Sequence, residues 1–476
     1  MSQINESALT TPGVYINEIP SFPPSVAQVA TAIPAFIGYT HSATDSNGNS
    51  LTNIPTKIYS LKDYELYFGT AENETGIAVA VTKTTDSTTH ALTSLKAIAT
   101  NSTPLKNNMY YSIRSFYDNG GGACYIVSVG AATPTLTSAD ETLLHNGLDA
   151  IEAYDEPTLI VFPEGQVMDS NTHYYDLITK AITQCANLQN RFTLVDVYDE
   201  TVGHTTDTNM TNFRSGFSSN NPNYAAAYYP NLKTNYNYQY QDTGVHVTIT
   251  TDGSAAAAVT LDTLKATDGA TYSACLNAIL QLSPTLPPTP AMAGIYAAVD
   301  GTRGVWKAPA NVVVAGVYDL TDSVTEAEQG GMNIDANTGK SVNAIRAFSG
   351  KGILVWGART LDGNSNDFRY VSVRRLYIMV ETSVKKAAFQ FVFEPNDGKT
   401  WMRIKAMIEN YLTELWRQGA LAGPKPEQAF YVKVGLGETM TMDDILNGKM
   451  IVEIGMAPVR PAEFIILRFS QIQQQA

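Results

Sequence analysis

Thr158-Leu159-Ile160-Val161-Phe162-Pro163 and, one helical stretch later, Phe192-Thr193-Leu194-Val195-Asp196-Val197 are unbroken apolar runs of strand length. A strand with one wet face alternates apolar and polar residues. An unbroken run is apolar on both faces, as in a parallel sheet covered by helices on each side. Between the two runs, residues 174–188 carry Leu177, Ile178, Ala181, Ile182 and Cys185 at helical spacing. Upstream lie Ile33-Pro34-Ala35-Phe36-Ile37-Gly38 and Cys124-Tyr125-Ile126-Val127-Ser128-Val129, of the same type. Downstream, residues 224–229 and 312–317 are further strand candidates. The expected fold class is therefore α/β, with a mostly parallel sheet between helical layers.

Two stretches interrupt this rhythm, 42–119 and 239–286, both rich in Thr, Ser, Asn and Ala, and both are expected to be polar surface insertions. After Gly350 a different pattern begins. Residues 352–357 form a strand, and Val373, Leu376, Tyr377, Val380, Val384 and Ala387 give a helical stripe. A second stripe runs from Trp401 through Ile404, Ile408, Tyr411, Leu412 and Leu415 to Trp416, and Gly419 is its expected stop. Residues 449–456 and 463–470 read as two closing strands joined by Ala457-Pro458-Val459-Arg460-Pro461. At the other end, Val14-Tyr15-Ile16-Asn17-Glu18-Ile19 is a short strand bounded by Pro12-Gly13 and Pro20, with Pro23-Pro24 beyond it. Such a strand has no local partner and must pair elsewhere, in its own fold or on a neighbouring subunit. The expected organisation is an arm over 1–30, an α/β domain over 31–345 and an α+β domain over 346–476 that ends in a second strand arm.

The 476 residues are enough for roughly three domains and a sizeable core. Charged residues make up 16% of the chain, well below the usual quarter, which suits faces covered by partners. The charge is uneven. Residues 1–345 carry 14 basic and 32 acidic side chains, and residues 346–476 carry 17 and 13. A net charge of −14 argues against nucleic acid as the main partner. No apolar run is long enough to span a bilayer, and the opening MSQINESALTTPG has neither the basic nor the apolar region of a secretory signal. Cys124, Cys185 and Cys275 are too scattered for a disulfide framework or a metal knuckle, so folding in a reducing cytoplasm is expected.

Motifs that suggest chemistry fail on inspection. Ala336-Asn337-Thr338-Gly339-Lys340-Ser341 mimics the end of a phosphate-binding loop, yet Ile334 stands where the loop needs its first glycine. Asp45-Ser46-Asn47-Gly48-Asn49-Ser50 begins like a calcium loop but has Ser50 in place of glycine and Thr56 in place of the closing glutamate. The six histidines show no paired ligand spacing, and there is no GxSxG elbow. No cofactor, metal or catalytic residue is expected.

Thr11-Pro12-Gly13-Val14-Tyr15-Ile16-Asn17-Glu18 followed by residues 33–38 resembles the N-terminus of contractile tail sheath proteins. The same family is matched by Pro287-Pro288-Thr289-Pro290-Ala291-Met292 with Asp300-Gly301-Thr302-Arg303-Gly304 after it. Glu394-Pro395-Asn396-Asp397 before Trp401, and Ala457-Pro458-Val459-Arg460-Pro461-Ala462-Glu463-Phe464-Ile465, complete the pattern. The resemblance implies a non-enzymatic sheath subunit of a phage tail, a tailocin or a phage-like extracellular injection system. It implies a central subtilisin-like domain serving as scaffold, and a C-terminal sheath domain. It also implies self-association as stacked hexameric rings around an inner tube, with baseplate and terminator proteins as partners and, where a particle carries them, paralogous sheath subunits. Assembly would take place in the bacterial cytoplasm, with release by lysis, and with neither nucleic-acid binding nor membrane insertion.

By the same resemblance, Val14, Tyr15, Ile16, Asn17, Glu18 and Ile19, with Phe464, Ile465, Ile466, Leu467, Arg468 and Phe469, are the strands that join adjacent subunits. The C-terminal domain would face the tube, and its basic balance makes Arg374, Arg375, Lys385 and Lys386 the candidates for contact with an acidic tube surface. The two insertions would point outward. The alternatives are a subtilisin-like hydrolase, testable by inhibitor labelling of a serine, and a β-rich adhesin, which would bind glycans or cells as a soluble monomer. Neither accounts for strand-bearing arms at both ends.

Overall fold

The structure, a computed structural model, describes residues 25–131, 138–168, 170–198, 206–255 and 258–468. The described residues divide into two compact units, 30–379 with 460–468, and 25–29 with 380–459.

In chain order the strands of the larger unit are β1 (Pro34–Thr40), β2 (Thr56–Ile58), β3 (Ile77–Thr85), β4 (Leu92–Asn101), β5 (Cys124–Ala131), β6 (Leu159–Val161), β7 (Phe192–Asp196), β8 (Ala225–Tyr229) and β9 (Leu232–Thr234). They continue with β10 (His246–Thr251), β11 (Ser254–Ala255), β12 (Val259–Thr260), β13 (Thr285–Leu286), β14 (Val312–Val313), β15 (Val317–Leu320), β16 (Val342–Phe348) and β17 (Gly352–Val355). Its helices are α1 (Leu61–Phe68), α2 (Met109–Asp118), α3 (Ser138–Glu152), α4 (Asn171–Leu188), α5 (Thr206–Gly216), α6 (Leu261–Thr267), α7 (Gly269–Ile279), α8 (Thr289–Arg303) and α9 (Glu326–Asn333). The chain passes to the smaller unit within α10 (Val371–Ala388).

Nine strands form the central sheet, in the order β14-β17-β16-β8-β7-β6-β1-β5-β2. The six from β16 to β5 are parallel, β2 and β17 run antiparallel to them, and β14 pairs antiparallel with β17 at the far edge. β1, β6, β7 and β8 are buried along their whole length, as unbroken apolar runs require. The pleat sends alternate side chains to opposite layers. Phe36 meets Phe116 of α2 with ring centroids 5.2 Å apart. Its neighbour Ile37, with Val127 and Val129, closes on Gly147 of α3. α3 packs with α4, and α2 packs with α8. The α/β expectation thus holds at the level of a mixed sheet with helical layers.

Three expectations need correction. Residues 42–119 are not one insertion. α1 buries Tyr64 and Phe68, α2 buries Met109, Ile113 and Phe116, and both belong to the main core, because their apolar residues recur at helical spacing within a polar composition. Only the β3–β4 hairpin leaves that core. It joins the second insertion, since β3 pairs in parallel with β10, Val79 opposite Val247. The combined sheet has its own small core of Ile77, Val79, Val81, Val247, Leu261, Cys275 and Ile279. Second, the break expected at 345 falls instead at 379, because β16 and β17 extend the central sheet. Third, residues 312–317 form two short strands, β14 and the start of β15, in different sheets.

The smaller unit contains the rest of α10, α11 (Gly398–Arg417), α12 (Pro426–Ala429), β18 (Phe430–Lys433), α13 (Met442–Leu446) and β19 (Glu453–Met456). The Asp397 side chain accepts from the Thr400 N–H and caps α11. Gly419, at φ 85°, closes its end. α11 buries Ile404, Met407, Ile408, Tyr411, Leu412 and Leu415 and packs on β18.

Candidate assembly site

At the carboxyl ends of the parallel strands, the chain leaves β1 toward β5 on one side and returns to β6 on the other. Open α/β sheets bind ligands in the crevice at such a switch point. Here the protein's own groups fill it. Glu164, just after β6, is fully buried, and its carboxylate accepts the backbone N–H of Tyr39 at 2.7 Å and of Met109 at 3.3 Å. A Cβ on Gly38 would lie 2.2 Å from Glu164 Oε2, so the layers are in close contact. Burial pushes the Glu164 carboxyl up to about 8, against the pull of its N–H partners. Asp196, at the end of β7, accepts Thr289 N at 2.9 Å and Thr289 Oγ1 at 2.6 Å, and burial pushes it up to about 7. A shallow depression lies nearby, lined by Tyr39, His41, Tyr64, Glu72, Met109 and Tyr110, with room for about one water molecule and far smaller than an ordinary ligand site.

These buried carboxyls give a signed pH dependence. A folded-state pKa raised above the unfolded value contributes stability below about pH 4, and that contribution is lost as pH rises through about 7. Asp196→Asn keeps an oxygen for the Thr289 N–H and an amide for its hydroxyl. Urea denaturation at pH 5 and pH 8.5 should therefore show a flatter pH dependence for Asp196→Asn than for the parent chain. Equal slopes would mean that Asp196 does not titrate in this window.

The deceptive motifs resolve into turns. Asp45 accepts from Asn47 N, Asn49 N and Asn49 Nδ2, each at 2.8 Å. Lys340 turns inward and donates to the Arg214 carbonyl at 2.6 Å. Among the described residues no three His, Cys, Asp or Glu side chains converge as metal ligands would, and no helix is long and apolar enough to cross a membrane.

The surfaces left open are of another kind. β18 and β19 form a sheet of only two strands, with Phe430 opposite Met456 and Lys433 opposite Glu453. One face rests on α11, and each strand has one outer edge without a ladder partner among the described residues. Phe464-Ile465-Ile466-Leu467 form no regular structure, and their exposures are 67%, 78%, 77% and 72%. They read as a strand in sequence but pair with no strand among the described residues. Arg468 is likewise exposed and irregular. Val14, Tyr15, Ile16, Asn17, Glu18, Ile19 and Phe469 lie outside the described residues.

The basic candidates separate. Arg374 and Arg375 are 4% and 3% exposed and cannot face a partner. Arg375 donates to Asp300 at 3.0 and 2.5 Å and to the Thr31 carbonyl at 2.7 Å, over the Tyr296 ring. Arg374 lies against the rings of Tyr224 and Phe368, at 4.5 and 4.7 Å. Lys385 and Lys386 are exposed in the last turn of α10, where cations complement the helix dipole. The basic balance of 346–476 is also not a property of the smaller unit. Residues 380–459 carry 9 basic and 10 acidic side chains, and the excess comes from arginines such as Arg359, Arg374 and Arg375, which are buried in the larger unit.

Sequence reading missed β18, a four-residue strand after a short helix, and the ion pair made by Glu463. Glu463 Oε2 accepts from Arg359 Nη2 at 2.6 Å, immediately before the exposed run. Its signal was a lone acidic residue between Pro461 and four apolar positions.

A family model described as the phage tail sheath C-terminal domain matches residues 364–472. The tail sheath protein of Vibrio phage KVP40 is 25% identical over 182 residues, which are 37% of this chain and 25% of the phage protein. The chain thus matches only about a quarter of that relative's length. Among solved structures, the sheath complex of the extracellular contractile injection system PVC, in its contracted state, is 31% identical, with a TM-score of 0.63 and coverage of 97% of this chain and 98% of that one. The helical sheath of the anti-feeding prophage AFP, also contracted, is 32% identical, with a TM-score of 0.63 and coverage of 97% and 99%. Close to a third of its residues are identical along nearly the whole of these sheath chains, and the chain belongs to the contractile sheath protein family.

Proposed function

We propose that this protein is the structural subunit of a contractile sheath, and that its subunits are tied together by strands donated to the two open edges of the β18–β19 sheet of neighbouring copies. The observation that carries this reading is the exposed run Phe464-Ile465-Ile466-Leu467 in a chain that also has an unfinished two-stranded sheet. Four consecutive apolar side chains left in water forgo about 1.5–3 kcal/mol each. A strand apolar on both faces suits an edge covered by a helix, as β18 is by α11. Backbone pairing at an edge gives affinity without a deep pocket. The N-terminal run Val14-Tyr15-Ile16-Asn17-Glu18-Ile19 is the second donor.

A contact in which one copy's arm fits another copy's edge is heterologous, so it builds rings or helical arrays instead of a closed dimer. Stacked hexameric rings around an inner tube, with baseplate and terminator proteins at the ends, are such an array. Pro20, Pro23 and Pro24 tether the N-terminal arm, so cores rotate while the strands stay paired. Contraction is then a rigid-body repacking from a metastable extended state, driven by new contacts between cores. The parallel sheet between helical layers supports the reading of the larger unit as the family's subtilisin-like scaffold. Of the basic candidates, Lys385 and Lys386 keep the accessibility that tube contact requires. The β3–β4 and β10–α7 subdomain is the part assigned to the outer surface. The particle is a phage tail or phage tail-like injection system assembled in the bacterial cytoplasm.

Replacing Tyr15 and Ile16 together with proline removes two backbone donors and should abolish sheath formation while leaving the monomer folded. Negative-stain microscopy and circular dichroism read the two effects. Intact sheaths from that variant would remove the N-terminal strand from the account.

A further inference from the structure

Glu463 is the last residue before the exposed apolar run, and its surroundings are unlike those of an ordinary surface acid. Its carboxylate accepts from Arg359 Nε at 3.0 Å, Arg359 Nη2 at 2.6 Å, Asn333 Nδ2 at 2.7 Å and Tyr370 Oη at 3.2 Å. Arg359 is itself fixed. Its Nη1 donates to the Gly363 carbonyl at 3.2 Å, and its backbone N–H donates to Asn343 Oδ1 at 2.7 Å. Asn343 lies in β16 and donates through Nδ2 to the Ala227 carbonyl of β8 at 3.0 Å. An unbroken path of hydrogen bonds therefore runs from the root of the arm to two central strands of the parallel sheet. Burial works against ionisation of Glu463, but the bonds from Arg359 and Asn333 prevail and hold its carboxyl below the usual range.

We propose that Glu463, gripped by Arg359, Asn333 and Tyr370, is the anchor at which the C-terminal arm is fixed to the central sheet, so that the arm pivots after residue 463 and a pull from its acceptor, a second copy of this chain, passes into β16 and β8. The inference rests on the donated-arm reading for its acceptor, but the grip itself is a property of the single chain. Bidentate Arg–carboxylate geometry resists displacement along the strand direction better than a single contact does. Between Pro461 and the apolar run, it is the element that turns a loose tail into one with a fixed point of departure.

The test uses a nitroxide at Phe464→Cys in the full chain. The three native cysteines are buried, so labelling is selective. With Glu463 intact the label should give a slow-motion spectrum in the monomer. Glu463→Ala should increase its mobility several-fold, and Glu463→Gln, which keeps the shape and one acceptor oxygen, should fall between. In polymers of the unlabelled chain, Glu463→Ala should lower the urea concentration of disassembly, while monomer circular dichroism stays unchanged. An unchanged spectrum and unchanged disassembly in Glu463→Ala would overturn the anchor. Normal polymers from a chain ending at Glu463 would overturn the donated-arm reading instead, and the label spectrum would still decide the anchor.

Discussion

A chain ended after Glu463 is expected to fold as the full chain does and to fail to form tubes. The lost segment begins with Phe464, Ile465, Ile466 and Leu467, none of which packs into the core, so the thermal unfolding curve of the monomer should hardly move. In the proposed assembly the same four side chains become buried. At about 1.5–3 kcal/mol each, they contribute on the order of 6–12 kcal/mol gross to every junction. Ordering the arm offsets part of this, at roughly 1–2 kcal/mol per residue for the backbone. Even a net of about 3 kcal/mol shifts the assembly threshold by about a hundredfold. The single change Ile466→Asp should act in the same direction, since it sets a charge where the acceptor expects a hydrocarbon. Sedimentation against concentration gives the threshold. Assembly of the truncated chain at the parent's concentration would contradict the prediction.

Asp300→Ala should have the largest effect on stability, about 3–5 kcal/mol. Asp300 lies in α8 and Arg375 in α10, and both side chains are almost wholly removed from water. Removing the carboxylate leaves the Arg375 guanidinium buried without its counter-charge, and also removes the acceptor of Thr31 Oγ1 at 2.5 Å. A domain with a typical reserve of 5–15 kcal/mol would lose a large share of it. The double variant Asp300→Leu with Arg375→Met should recover most of the loss, because an apolar pair costs less than an unpaired charge. Urea midpoints of the three chains check both statements. A single variant no less stable than the double would show that water reaches the arginine.

That ion pair also marks where sequence reading stops. Arg374 and Arg375 look like a basic patch when charges are counted along the chain, and the partner that neutralises Arg375 is remote in sequence. By contrast, β1, β5, β6, β7 and β8 were legible, because a strand covered on both faces reads as a near-continuous apolar run with few polar interruptions. The two long helices α10 and α11 were legible from their stripes, and the stop at Gly419 from its freedom to take positive φ; the short α12 and α13 were not. α2 was hidden by composition although Met109, Ile113 and Phe116 keep helical spacing. The parallel pairing of β3 with β10 carries no local signal, since it joins two segments that each look like a loop excursion. The C-terminal run reads as a strand yet is irregular in the single chain. A strand is stable only with a partner, and this one has none among the described residues.

The most direct measurement is electron cryomicroscopy of polymers formed by the purified full chain. The account predicts hollow helical tubes in which residues 464–468 of one subunit run as a strand beside β18 or β19 of another, so that the two-stranded sheet gains strands from its neighbours. Tubes in which that sheet keeps two strands, with the arm folded back on its own subunit, would contradict it.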